Sequence, residues 1–362
     1  MRLPLLPLLL LPLLASAKAR RMGRMARRGP DFRGASPETH VTSPPPAAGA
    51  APSAFDWRFS KGPGLVSRVM SQQAPHVCGS CWAEAAMGAL SDRYRIATEG
   101  AVDVQLAAQV LLNFDPTVTG GDCSGGDALP AYKFIRRFGI TDDTCAPFMG
   151  ESFGDTFGGG VLPEGGGSAE KDAKAETAYV RSKMCHFCDW DGNCDWLNTS
   201  SISDETVAES PSEGASEIGV ARRYSVEEFG LVHGPDEMMA EIFARGPIVC
   251  SIDSGPAVFN QYAPAFNASS GEYTAGIIQY RPQKNNDTDH DIVIAGWGRD
   301  EAEGLDYWVG RNSFGTRWGD GPSGGWFRLE RGKNTLNMEA TPCAWATPSK
   351  KDVAALNRRR PQ

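Results

Sequence analysis

The pentapeptide Cys78-Gly79-Ser80-Cys81-Trp82 runs straight into a helical pattern, so Cys81 falls at a helix start. A thiol attacks well only as thiolate, and the partial positive charge and unpaired N–H groups of a helix N-terminus favour that form. The base that takes its proton at ordinary pH is histidine. Beyond residue 53 the histidines are His76, His186, His233 and His290, and only His290 opens an apolar run, reaching to Trp297-Gly298. Asn312, in Arg311-Asn312-Ser313-Phe314-Gly315, can hold an imidazole by a hydrogen bond without adding charge. Thiol, imidazole and amide together suit acyl transfer through a thioester. Two other chemistries use the same pieces. Cys78 and Cys81 could be a redox dithiol, although no βαβ pattern surrounds them. They could also be half of a zinc site, although no second Cys/His pair of matching spacing follows in that part of the chain.

These residues need elements to hold them. Ser80 to Ala97 reads as a helix, with Ser80 able to cap it, Ala86, Leu90 and Tyr94 recurring every fourth residue, and Gly100 beyond its end. Val104 to Leu112, Ala128 to Phe138 and Asp236 to Arg245 read as further helices. From there the period shortens. Ile248 to Ile252, Ile277 to Tyr280, Asp291 to Gly296, Tyr307 to Arg311 and Trp326 to Leu329 read as strands between turns. A helical first half and a strand-rich second half predict an α+β protein of two lobes. Gly150 to Glu176, rich in Gly and charge, and Ser200 to Ser216, rich in Ser and Glu, read as solvated insertions.

Bulk properties narrow the partners. In a chain of 362 residues, 41% hydrophobic content is enough for a real core. Up to Pro52 the chain is basic; the rest carries 28 basic and 42 acidic groups. That acidic body argues against nucleic acid or an anionic membrane as partner. Arg2, the apolar run Leu3 to Leu14 and Ala15-Ser16-Ala17 predict a secretory signal over residues 1–17, a retained anchor being the alternative. The expectation is export, to a lysosome or vacuole or to the outside. Residues 18–53, Pro- and Ala-rich, read as a short disordered pro-segment or a plain tail. The domain is expected over 54–345, with a helical lobe near 62–177, a strand-rich lobe near 217–345, and a polar tail at 346–362. An odd count of nine cysteines in an exported chain predicts four disulfides and one functional thiol. Sequons at Asn198, Asn267 and Asn286 suggest glycosylated surface loops.

The Cys-Gly-Ser-Cys-Trp motif with a Gln before it, the His strand ending Ala-Gly-Trp-Gly, and Arg-Asn-Ser-aromatic-Gly resemble the papain family of cysteine peptidases. The resemblance runs from about Phe55 to Cys343. It implies a helical left lobe, a β-barrel-like right lobe and a cleft between them. By that resemblance Cys81 is the nucleophile, His290 its base and Asn312 the residue orienting the base. Gln72 then supplies, with the Cys81 backbone N–H, the oxyanion hole. Phe314 and Trp318 fall at the substrate-side aromatic cover, with Phe314 where the family usually has Trp. Gly125-Gly126 resemble the glycines that let a substrate backbone approach, a plain turn being the alternative.

Gln72 lies nine residues before Cys81, a longer spacing than most of the family shows. This is the spacing of a carboxypeptidase branch in which a small loop closes the primed side of the cleft and its His binds the terminal carboxylate. Here the loop is Gln73-Ala74-Pro75-His76-Val77, with Gln73 at the His position and His76 three residues later. By analogy the disulfides are Cys78–Cys123, Cys145–Cys185, Cys188–Cys194 and Cys250–Cys343, leaving Cys81 free. Zinc on Cys185, His186, Cys188 and Cys194 is the rival, disfavoured by export. No Cys lies between Lys18 and Phe55, so any latency would be non-covalent. The resemblance implies no cofactor and no metal, a monomer, peptide or protein substrates, and protein inhibitors of cysteine peptidases as partners. Endopeptidase action or a non-catalytic binding role are the alternatives.

Overall fold

Every residue from Cys81 to Tyr94 is buried, an all-round burial that makes this helix the axis of the molecule. Ala83, Ala85, Ala86, Gly88 and Ala89 let neighbours approach closely, and most polar side chains on it are paired. In the computed structural model, residues 38–47, 51–62, 64–152, 169–188, 194–196, 202–206, 221–260, 262, 265–267, 272–274, 276–281, 287–320 and 324–358 are described.

A short strand β1 (Phe55–Asp56) precedes α1 (Cys81–Ala97), α2 (Ala108–Leu112) and α3 (Pro116–Thr119). A tight hairpin, β2 (Gly121–Asp122) and β3 (Gly125–Gly126), leads to α4 (Ala128–Phe138) and α5 (Ala169–Arg181). Two small pairs follow: antiparallel β4 (His186–Cys188) with β5 (Cys194–Trp196), and parallel β6 (Ile202–Thr206) with β7 (Ala221–Arg223). The second lobe runs β8 (Val226–Val232), α6 (Gly234–Arg245), β9 (Ile248–Ile252), α7 (Ala257–Asn260), β10 (Ala265–Asn267), β11 (Glu272–Thr274), β12 (His290–Asp300), β13 (Leu305–Arg311) and β14 (Trp326–Glu330). A 3-10 segment (Thr335–Ala340), β15 (Cys343–Pro348) and α8 (Lys350–Arg358) complete it.

The main sheet has the order β14-β13-β12-β9-β15-β8, all antiparallel, with β1 laid beside β12. Gly296 is required at that crossing, because a Cβ there would sit 2.3 Å from the Phe55 carbonyl. One core packs α1, α2 and α4 around Trp82, Leu90 and Tyr132; the other gathers Trp297, Trp308, Phe259 and Phe327 on the sheet. The α+β, two-lobe expectation therefore stands. The barrel-like right lobe does not: among the described residues β14 and β8 are the two ends of an open sheet that do not pair.

Several local expectations differ. Of Val104–Leu112 only Ala108–Leu112 is helical, because Leu106 bridges Asp142 and Ala107 N–H donates to the Thr141 carbonyl, holding the start extended. Ile277–Tyr280 contributes a single bridge, Ile278 to Leu329, rather than a strand. The supposed polar tail contains α8, whose Asp352 is fully buried and accepts from Ser225 N–H, Ser225 Oγ and Tyr94 Oη. The supposed Gly-rich insertion ends in α5, which buries Val180. Its residues 153–168, and 200–201 and 207–216 of the Ser/Glu-rich stretch, lie outside the described residues. Residues 38–47, expected to be disordered, are seated on the second lobe.

Candidate functional site

The thiol, the imidazole and two amides come from distant stretches and are joined by a small set of hydrogen bonds. Cys81 is the first residue of α1 and the free cysteine among the described residues. Ser80 occupies the cap position, but contrary to expectation its side chain makes no cap hydrogen bond. Backbone N–H groups of Trp82 and Asp291 point at the Cys81 thiol instead. Asp291 follows His290 at the start of β12, so the thiol of one lobe touches the residue beside the imidazole of the other.

The other side of the ring is fixed by Asn312. His290 Nε2 lies 2.8 Å from Asn312 Oδ1. The Ser313 backbone N–H also donates to that oxygen, at 2.8 Å, which identifies it as oxygen rather than amide nitrogen. Since Oδ1 only accepts, Nε2 must carry the hydrogen of the neutral ring, and Nδ1 is the lone-pair nitrogen left to take a proton. Asn312 is itself held by its N–H on the Gly325 carbonyl, at 2.8 Å. Asn312 and His290 are buried, under Phe314, whose ring centroid is 5.0 Å from the imidazole. Trp318 packs edge-on further out, 5.8 Å from Phe314. Phe259 of α7, 5.8 Å from the imidazole, completes this wall; nothing in its local sequence marks it.

Gln72 is tied to both sides. Its Oε1 accepts from Ser313 Oγ at 2.6 Å, its N–H donates to the Ser313 carbonyl at 2.9 Å, and its Nε2 donates to the Cys78 carbonyl at 3.0 Å. One Nε2 hydrogen remains for another acceptor. Ser313, adjacent to Asn312, was a position sequence reasoning passed over; it locks the orientation of the Gln72 amide.

Burial dominates the electrostatics. It pushes the Cys81 thiol up to about 12, helped by the negative Asp291 and Asp289 and opposed by the two N–H groups. It also holds His290 below its ordinary value, against the Asn312 hydrogen bond and Asp289.

The surroundings of the thiol are braced. Cys78 is disulfide-bonded to Cys123, which removes it as a redox partner of Cys81. Trp82 Nε1 donates to the Asp122 carbonyl, at 3.1 Å. Gly126 lies beneath that indole, where a Cβ would come within 2.6 Å of the ring, so packing on Trp82 demands its small size, while Gly125 has φ 129°, a backbone conformation that favours glycine. Behind the site Asp92 of α1 and Arg311 of β13 form a buried ion pair, at 2.8 Å. Cys145–Cys185 and Cys250–Cys343 are bonded, so Cys185 is not a metal ligand. Cys188 and Cys194 face each other across β4 and β5, their side chains outside the described part. Asn198 and Asn286 lie outside the described residues, and Asn267 is in a strand rather than a loop.

The loop from Gln73 to Val77 is exposed throughout and leans on the helical lobe. His76 Nδ1 is 3.4 Å from Glu151 Oε1, and Gly150 fits directly beneath the His76 carbonyl. Gln73 N–H reaches Ser71 Oγ, at 3.4 Å.

An open-sheet lobe set against a helical lobe, with a helix-start thiol beside the strand that begins with an amide-held imidazole, defines a thiol protease of two lobes. The model of the papain family cysteine proteases matches residues 51–346, and the chain belongs to that family. Among curated proteins it is similar to Cathepsin Z of Onchocerca volvulus, 32% identical over 305 residues that cover 82% of this chain and 78% of the relative. Cathepsin B-like protease 1 of Arabidopsis thaliana is 25% identical, over 76% of this chain and 57% of that one. Solved structures share the fold: procathepsin L 3 of the Tenebrio molitor larval midgut (TM-score 0.56, 18% identity, 92% and 79% covered), and the bromelain protease of Ananas comosus in complex with the E64 inhibitor (TM-score 0.51, 20% identity, 82% and 100% covered).

Proposed function

We propose that the chain hydrolyses peptide bonds through a Cys81 thioester. The observation carrying this reading is the His290–Asn312 bond, because it leaves Nδ1 as the free base on the ring whose neighbour, Asp291, contacts the thiol. His290 takes the thiol proton as sulfur attacks the substrate carbonyl. The imidazolium and thiolate arise together, each offsetting the other's desolvation, with the Trp82 and Asp291 N–H groups and the helix start on the sulfur. The developing oxyanion accepts from the spare Gln72 hydrogen and the Cys81 N–H, and His290 then returns its proton to the leaving amine. Water repeats the sequence on the thioester. Labelling of Cys81 by a thiol-directed epoxide, lost in His290→Ala, tests this; an unlabelled thiol in the folded protein would favour a binding role instead.

The finer reading is carboxypeptidase action in the secretory pathway or a lysosome-like compartment, with peptides as substrates and cysteine-peptidase inhibitors as partners. The exposed five-residue loop between Gln72 and Cys78 supports it. A second reading, endopeptidase or relaxed exopeptidase action, is favoured by Gln73 at the carboxylate-binding position and by Glu151 beside His76, which would repel a substrate carboxylate. Paired substrates with free and amidated C-termini separate the two, equal rates removing the carboxypeptidase.

A further inference from the structure

The carboxylate of Glu228, on the outermost strand β8, is only 2% exposed, and residues 38–47 lie over it. Thr42 donates to Glu228 Oε1 from its backbone N–H, at 3.0 Å, and from its hydroxyl, while Ser43 Oγ donates to Oε2. Arg245 of α6 stands 3.7 Å from the same carboxylate and donates to Ser43 Oγ at 3.2 Å. One residue along, His40 and Phe229 exchange both backbone hydrogen bonds, at 2.9 and 3.0 Å, as an antiparallel pair. Val41 fills the space beside Gly230 and the Trp345 ring. Arg136 of α4 donates to His40 Nε2, at 2.9 Å, and Lys133 pairs with Glu38, at 2.5 Å.

Sequence explains why the pairing is short. Thr42 N–H is taken by Glu228, and Pro44, Pro45 and Pro46 have no N–H to continue a ladder. What remains is one strand-type pair and a clasp around a buried anion, the pattern of an extended peptide added to a free sheet edge.

The seat is remote from the thiol. β8 lies three strands from β12 in the sheet. Following the register from Leu231 through Ala344 and Val249 to Val293, Phe229 is displaced from the row of His290 by about five residues, which with ~4.8 Å per strand puts it about 20 Å away.

We infer that residues 38–47 are an anchor strand, a segment of this chain that docks on the outer edge of the sheet through the Glu228 clasp, at a surface separate from the catalytic cleft. Its occupant is this chain itself, and its hold is set by Glu228, Thr42 and Ser43 rather than by anything bound at Cys81.

Hydrogen exchange on the full chain tests this, read at residues 38–47. Glu228→Gln, and separately Thr42→Ala with Ser43→Ala, should speed exchange there about tenfold, the loss of a charge-assisted hydrogen bond. The double variant acts from the exposed segment and leaves the body's packing intact. In both, kcat/KM on a short peptide should stay within about twofold of the parent, on the same scale of effect. Epoxide attached to Cys81 should leave exchange in the segment unchanged. Release of the segment on labelling, or unchanged exchange in the double variant, would overturn the inference.

Discussion

Glu84 sits one helical turn after the nucleophile with a side chain 3% exposed and no hydrogen-bond partner on either oxygen among the described residues. Burial pushes its pKa from an ordinary 4.5 to about 8; the Asp143 charge adds to this and Arg68 opposes it. Between those two values the folded chain keeps a proton that the unfolded chain has released, so stability falls as pH rises. The slope is about 1.4 kcal/mol per unit, which amounts to about 3 kcal/mol of stability lost by pH 7 relative to pH 4. Glu84→Gln keeps the shape and removes the titration. At pH 4 the variant should match the parent within about 1 kcal/mol, since a protonated carboxyl and an amide are similar buried groups. At pH 7 it should be more stable by about 3 kcal/mol, all other titrations cancelling in the comparison. Urea unfolding at pH 4, 5.5 and 7 measures the difference. A stability gap that does not change with pH would show that Glu84 is not held protonated, and the reasoning from its burial would fail.

Three further outcomes follow from the site. Gln72→Ala should lower kcat by about 10²–10³ with little change in KM, as the loss of one oxyanion donor does; an unchanged kcat would remove Gln72 from the oxyanion hole. Burial keeps His290 below 6.5 while the Asn312 bond works to raise it. Asn312→Ala should therefore move the acidic limb of kcat/KM to still lower pH, besides lowering the rate, and an upward move would contradict the assigned hydrogen bond. Asp92→Asn leaves Arg311 buried without its counter-charge and should cost about 3–5 kcal/mol by denaturant unfolding; a cost under 1 kcal/mol would show the pair to be dispensable.

Much of the reactive frame was legible because its residues sit in short motifs at element boundaries, where helix starts and apolar strands announce themselves. Cys81, His290 and Asn312 are such positions. What the sequence could not offer were partners chosen by the tertiary fold. Glu228 lies 186 residues from Thr42, and no local pattern says that a charged residue in a strand will be buried. β8 and β15 were missed for a similar reason: Glu227 and Glu228 in one, and Pro348 ending the other, break the apolar alternation that marks a strand. α8 reads as a polar tail because its most deeply buried side chain is an aspartate, satisfied by Tyr94 and Ser225 from far upstream, with only Ala355 and Leu356 buried beside it. His76 is legible as a loop residue three places after Gln73, whereas Glu151, outside the loop, decides what it faces.

The contact in which Ser71 bridges Phe314 and Gln72 joins Ser313 brings the oxyanion donor and the orienting amide onto one narrow seam between the lobes. Neither can drift without dragging the other, so the machinery should fail as a unit. Damage at Ser313 ought to resemble simultaneous loss of Gln72 and Asn312, and rate losses from substitutions along the seam should fall short of the product of their separate effects.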